Sequence, residues 1–308
     1  MLKFEYLIIE AAVLALGVSI YYLNNRYKIR RCRIPFGDYI LVQEIGIGGM
    51  AVIYLAQHRE NKDHVAVKLL QTKCSDRDSV RRFIREGENL KTIKEKFPHS
   101  PVVQVYDYGR ENTTGRYMII MEYLPGENLK KILESKRFIP FNLKLHIIKE
   151  VAKALHASHT LNIFHRDVSP DNIMVYEKKI TLIDFGIAKV MIPGQETVPG
   201  SFWGKYDYIS PEQCNGDRVT AKSDIYSLGV VSFYLLEGKP MYTYRNYYGR
   251  NMHLNYPLPP IKAKVPEDLK RFIYRMLHKD PAYRPHAREV VETMRFFIRS
   301  EYETMSLY

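Results

Sequence analysis

Cysteine is scarce: Cys32, Cys74 and Cys214 are the three in 308 residues. Thiols so far apart exclude a disulfide framework and a thiolate zinc site, and fit reduced cysteines in a reducing compartment. Negative charge is in deficit, with 34 Asp and Glu against 46 Lys and Arg and a net charge of +12. That balance invites an anionic partner, but no aromatic–basic nucleic-acid motif accompanies it, so nucleic acid is not expected. Internal repeats and low-complexity stretches are absent, and 46% hydrophobic with 26% charged residues excludes a disordered chain. The length allows one large domain or two small ones with a sizeable core.

Long apolar runs are lacking too, with one exception. Tyr6 to Leu23 reads YLIIEAAVLALGVSIYYL and carries one charge, Glu10. Its Leu, Ile and Val favour bilayer insertion by roughly 3–5 kcal/mol, against roughly 3 kcal/mol for a carboxylate at mid-depth. The run predicts a transmembrane helix over 6–24. Arg26, Lys28, Arg30, Arg31 and Arg33 follow it and only Lys3 precedes it, so the positive-inside rule puts the rest of the chain in the cytoplasm. Residues 1–5 are then a short extracytoplasmic end and 25–37 a basic juxtamembrane segment able to touch anionic headgroups at 26–33. The expected location is the cell membrane, with a single pass.

After Pro35 the pattern turns globular. Short apolar runs predict strands at Tyr39–Ile45, Val52–Gln57, His64–Leu70, Val102–Tyr108 and Tyr117–Glu122, with a turn at 112–115. Helical spacing covers Ser79–Lys94. From Leu129 the chain is mostly helical, over Asn142–Leu161, Ser223–Glu237, Pro266–Leu277 and Arg288–Ser300. Strands first and helices after predict an α+β fold of two lobes joined near Glu122–Gly126.

Several residues on this framework carry chemistry. Gly46, Gly48 and Gly49 lie between two strands, where backbone N–H groups can approach phosphate; a dinucleotide fingerprint would need a helix next. Lys68, in Val-Ala-Val-Lys, buries its stem on a strand and can offer its ammonium to phosphates, and Glu86 on the following helix is its candidate counter-ion. His165-Arg-Asp-Val-Ser-Pro-Asp-Asn172 is a polar octet between apolar runs. Asn172 and Asp184, the latter in Asp-Phe-Gly, are oxygen ligands suited to a hard divalent cation. That leaves Asp167 to orient an attacking hydroxyl and take its proton.

In this order, GIGGMAVIY, VAVK, FIRE, MEYLPG, HRDVSPDN, DFG, SPE and DIYSLG resemble the protein kinases, and most the eukaryotic-like serine/threonine kinases of bacteria. The resemblance covers 38–298, with an N-lobe at 38–123, a C-lobe at 124–298 and a tail at 299–308. It implies transfer of the ATP γ-phosphoryl group to a protein Ser or Thr, with Mg2+ (Mn2+ as a substitute). Asp167 is implied as base, Lys68 as phosphate ligand held by Glu86, and Asn172 and Asp184 as metal ligands. Ile45, Gly46, Gly48, Gly49, Ile53, Ala66, Met121, Glu122, Leu124 and Met174 are implied around the nucleotide. Glu212 is implied to pair with Arg284, and Asp224 to brace the catalytic loop. Arg166 before the base implies docking of a phosphorylated residue, for which Thr197 and Ser201 are the acceptors. Self-association is one route for a signal to a chain with so short an outer end.

Three positions depart from the pattern. Ala51 replaces the third loop glycine. Ser169 stands where the family carries a lysine, and Lys205 where it carries the threonine that bonds that lysine. We expect an exchange: Lys205 reaches the γ-phosphate and Ser169 supplies the hydroxyl. The other readings are a weak or dead kinase-fold scaffold, favoured by these departures, and a small-molecule kinase, disfavoured by the Ser-Pro-Glu segment.

Overall fold

The computed structural model describes residues 31–74, 76–185, 205–242 and 252–305. The expected membrane span at 6–24 and the acceptors Thr197 and Ser201 lie outside these residues. Among the described residues no helix is long and apolar enough to cross a membrane.

The chain divides into two compact units, residues 1–75 with 109–123 and residues 76–108 with 124–308. The first is built on a sheet ordered β1-β2-β3-β4-β6-β5. Its strands are β1 (Arg31–Phe36), β2 (Tyr39–Ile47), β3 (Ala51–His58), β4 (His64–Leu70) and β6 (Tyr117–Glu122), together with the last two residues of β5 (Val105–Arg110). Strand alternation sorts β4 cleanly. Val65, Val67 and Leu69 enter a core with Phe36, Leu41, Ala56 and Ile120. Ala66, Lys68 and Leu70 take the opposite face.

β1 was not among the expected strands; it lies within 25–37, the span read as a basic juxtamembrane segment. The strand forms because Gly37 turns the chain at φ +53 and brings Phe36 opposite Tyr39, which buries Phe36 to 3% exposure. β5 begins three residues later than expected. Val102 and Val103 are used elsewhere: Leu182 N–H donates to Pro101 O at 2.8 Å and Val103 N–H to Leu182 O at 3.2 Å.

The second unit holds helices α1 (Arg77–Lys96), α2 (Leu129–Glu134), α3 (Phe141–Thr160), α4 (Pro211–Asn215), α5 (Ala221–Glu237), α6 (Glu267–Met276) and α7 (Ala287–Met305), with strands β7 (Glu127–Asn128), β8 (Ile173–Tyr176) and β9 (Lys179–Leu182). Asp76 starts α1 by accepting from Ser79 N–H at 2.9 Å, a cap that supplies one of the orphan donors of a helix start. α3 is amphipathic, and its apolar stripe at Leu145, Ile148, Val151, Ala152 and Leu155 is buried. It packs against α5, α7 and β9. α5 is buried almost all round, as its strongly apolar stretch, interrupted only by small Ser227 and Ser232 after the first turn, requires. Its N-terminus is fixed by a Thr220–Ser223 capping box, and that first turn carries Asp224.

Candidate active site

The polar octet is a loop between α3 and β8, and several of its polar groups are tied down. Asn172 is 7% exposed, and its Nδ2 donates to Asp167 O at 2.8 Å and to Asp167 Oδ2 at 3.2 Å. With the amide nitrogen so occupied, Oδ1 is the atom left to meet a cation. Asp184 reaches the same place by strand pairing. Ile173 opposes Leu182 in the β8–β9 hairpin, and Ile183 N–H donates to Asn172 O at 2.9 Å, so Asn172 and the residue before Asp184 are bonded neighbours. Two hard oxygen ligands fit Mg2+, which keeps waters and takes substrate phosphates for its remaining positions. Asp184 (φ 63) and Arg166 (φ 67) both adopt left-handed backbone, a strained conformation of the kind that gathers at functional loops.

Below the loop lies Asp224, 1% exposed. Its Oδ2 accepts from His165 N–H at 2.9 Å and its Oδ1 from Arg166 N–H at 2.7 Å. His159, from the last turn of α3, bonds Oδ2 through Nε2 at 2.8 Å. Burial pushes the Asp224 carboxyl up, but the hydrogen bonds from His159 and from the Arg166 backbone N–H outweigh it and hold the pKa below the usual range. His165 is wholly buried: its Nδ1 accepts from Asp167 N–H at 3.2 Å, its Nε2 faces Ile183 O at 3.0 Å, and the Phe185 ring packs against it at a tilt, 4.6 Å between centroids. With both nitrogens so used it positions Asp167 and is not an acid or base. Gln213 Nε2 holds Arg166 O at 3.0 Å.

Gln213 also belongs to a capping box with Ser210 that starts α4. Beside it Glu212 meets Arg284 in a bidentate pair at 2.7 and 2.9 Å. The guanidinium is 2% exposed and lies 4.9 Å from the Tyr226 ring centre. Burial acts to raise the Glu212 pKa, and the Arg284 bonds and charge bring it below the usual range instead.

In the first unit the residues assigned to the nucleotide converge on one sheet face. Ile53 is the cross-strand partner of Lys68, and Ala66 is the partner of Met121. Such partners stand about 5 Å apart, so Ile53, Ala66, Lys68 and Met121 form a patch on the face opposite the apolar core. Gly46 opposes Ile53 in the next strand. Gly48 and Gly49 make the tip of this hairpin. Ile45 is 41% exposed, and Glu122 pairs with Val65 at the far end of β6. Leu124 and Met174 belong to the second unit, where Met174 pairs with Thr181. Glu86, 6% exposed, lies on the buried face of α1.

Ser169 is 6% exposed and stands at the N-cap of the short 3-10 turn Pro170–Asn172 without using its hydroxyl as a cap. Lys205 opens the 3-10 turn Lys205–Tyr208, and its side chain is outside the described part. His159 and Gln213 were missed in the sequence. A histidine closing a long amphipathic helix just ahead of the octet was the available signal for the first; Gln213 had none.

A family model described as a protein kinase domain matches residues 39–296. The chain belongs to the protein kinase family. Within it the relatives are bacterial serine/threonine kinases, and this chain is of that type. It is 33% identical over 262 residues to the serine/threonine-protein kinase PrkC of Bacillus subtilis, covering 83% of this chain and 40% of that protein. It is 34% identical over 253 residues to PknA of Corynebacterium glutamicum, covering 80% of this chain and 53% of that protein. The chain thus spans about half or less of these relatives' lengths. Among solved structures it matches the kinase domain of Mycobacterium tuberculosis PknI with a TM-score of 0.65 at 27% identity, covering 85% of this chain and 96% of that one.

Proposed function

We propose that this chain is a membrane-anchored, ATP-dependent protein serine/threonine kinase. The observation that carries the reading is the octet itself: Asn172 bonds Asp167 while Asp224 clamps the backbone on the other side. Asp167 orients the substrate hydroxyl and accepts its proton as the oxygen attacks the γ-phosphorus. The new P–O bond forms as the bond to the β-phosphate oxygen breaks, and ADP leaves. Lys68 addresses the α- and β-phosphates with Glu86 as its counter-ion. Mg2+, held by Asn172 and Asp184, supplies positive charge for the phosphate oxygens. Lys205 supplies the γ-phosphate charge that Ser169 cannot. Most of the acceleration comes from positioning and fixed charge.

Autophosphorylation at Thr197 or Ser201 belongs to the same reading. Among the described residues, buried Arg166 Nε finds no hydrogen-bond partner. An orphan guanidinium N–H beside the base suits a phosphate oxygen, which would repay its desolvation. Anchoring rests on the 6–24 run and its basic flank, and membrane fractionation of the full chain against a form lacking residues 1–24 tests it.

The deciding experiment incubates the full chain in detergent with γ-labelled ATP and Mg2+, beside Asp167→Asn. Label on the wild type alone supports the kinase. ATP binding without label supports the scaffold reading that buried Ser169 favours. No ATP binding refutes both nucleotide readings.

A further inference from the structure

The glycine-rich tip is held from one side by the segment that follows β4. Gln71 Nε2 donates to Gly48 O at 2.8 Å, Gln71 N–H to Met50 O at 2.8 Å, and Cys74 Sγ lies 3.7 Å from Gly49 O. Three successive carbonyls therefore point at residues 71–74. In a trans peptide the C=O and the following N–H point in opposite directions, and the described chain has no cis bond. The N–H groups of Gly49 and Met50 are accordingly turned away from this segment, both toward the other side of the hairpin.

Nothing within the fold asks for glycine at the tip. Neither Gly48 nor Gly49 has a left-handed φ, and a Cβ on Gly49 would meet nothing within 4 Å. The missing side chain serves whatever approaches the backbone from outside. Two adjacent N–H groups on a bare backbone suit a phosphate. Bare backbone also has a weakness: the Gly48–Gly49 peptide has glycine on both sides and flips at little steric cost, which would turn the Gly49 N–H the wrong way.

We propose that Gln71 is a positioning residue for the ATP phosphates. Its amide latches the Gly48 carbonyl and so fixes the direction of the Gly49 N–H, while Cys74 does the same, more weakly, for the next peptide. Gln71 touches no substrate and acts only through the loop. The proposal rests on the ATP-binding reading above.

The test compares ATP·Mg2+ with adenosine, which has the base and ribose but no phosphate. Dissociation constants of both are measured by calorimetry on full-length wild type, Gln71→Met and Gln71→Glu. Methionine keeps the length and loses the donor; glutamate keeps the shape and sets oxygen against oxygen. The expected result is a loss of ATP affinity of about three- to tenfold for Gln71→Met, the scale of one hydrogen bond. The loss should be larger for Gln71→Glu, with adenosine affinity within twofold of wild type for both. Gln71→Arg, which restores a donor, should recover most of the ATP affinity. Equal losses for ATP and adenosine would overturn the latch in favour of a general packing role, and unchanged ATP affinity would overturn it outright. A wild type that binds neither ligand would refute the ATP reading and the latch with it.

Discussion

Asp224→Asn isolates what the carboxylate does beneath the catalytic loop. The shape is kept and one oxygen becomes an NH2. If the amide oxygen takes the Oδ2 position, it keeps His165 N–H and the His159 contact. The NH2 then confronts Arg166 N–H, where the wild-type bond is 2.7 Å. One charge-assisted bond is lost and two donors face each other in a fully buried site. A hydrogen bond to a charged group is worth about 1.5–3 kcal/mol and an unsatisfied buried donor costs about 1–3 kcal/mol. The other rotamer is worse, since it turns the NH2 toward His165 N–H and His159 together. We expect a loss of about 2.5–6 kcal/mol on this basis, read as a lower urea midpoint at unchanged slope. Arg166 and Asp167 lose their anchor, so kcat should fall at least tenfold while KM for ATP stays within twofold. A variant as stable and as active as wild type would refute the claim that Asp224 sets the loop.

Other perturbations are equally direct. A Cβ on Gly87 would stand 2.7 Å from Tyr108 Cβ, so Gly87→Ala should cost about 1–3 kcal/mol by overpacking, less about 1 kcal/mol of helix propensity; activity should drop more than stability, because Glu86 is the preceding residue, and urea melts beside initial rates test this. Glu111 accepts from Thr114 Oγ1 and from the N–H groups of Thr113 and Thr114, which hold its carboxyl down at about 2. Its folded pKa lies below its unfolded value, so its stabilisation is present above the ordinary carboxylate range and fades as pH falls toward 2; Glu111→Gln should flatten the wild type's midpoint-against-pH curve in that window. Lys205→Thr should cripple turnover, and adding Ser169→Lys should restore much of it; additive losses in a steady-state double-mutant cycle would count against the exchange.

The local elements were legible because each carries its own period. β4 reads from Val-Ala-Val-Lys-Leu-Leu and α5 from its apolar run, and the octet marked itself by its polarity. β1 was hidden because its basic residues resemble a topology signal, and only the burial of Phe36 opposite Tyr39 makes it a strand. The octet's residue types pointed to base and metal ligands, but not to what holds them. Asp224 takes its partners from 58 to 65 residues upstream, and Gln71 reaches back 23 residues to Gly48. Contacts at such range leave no local period to read. Gln213 illustrates the limit, since a glutamine in a helix cap looks ordinary until Arg166 O arrives.

Those long reaches bear on when the site comes into being. Glu212 and Arg284 are 72 residues apart and wholly interior. Until Arg284 has left the ribosome, the Glu212 carboxylate has no partner and α4, which carries Gln213 to Arg166, has no anchor. α3 and β8–β9 emerge long before, so the octet is made early and meets Asp224 next, but α4 and its Gln213 stay unanchored until Arg284 follows. Assembly of this centre is therefore a late event in the life of each nascent chain, and a ribosome-bound intermediate that stops short of residue 284 should be inert toward ATP-dependent modification of its neighbours.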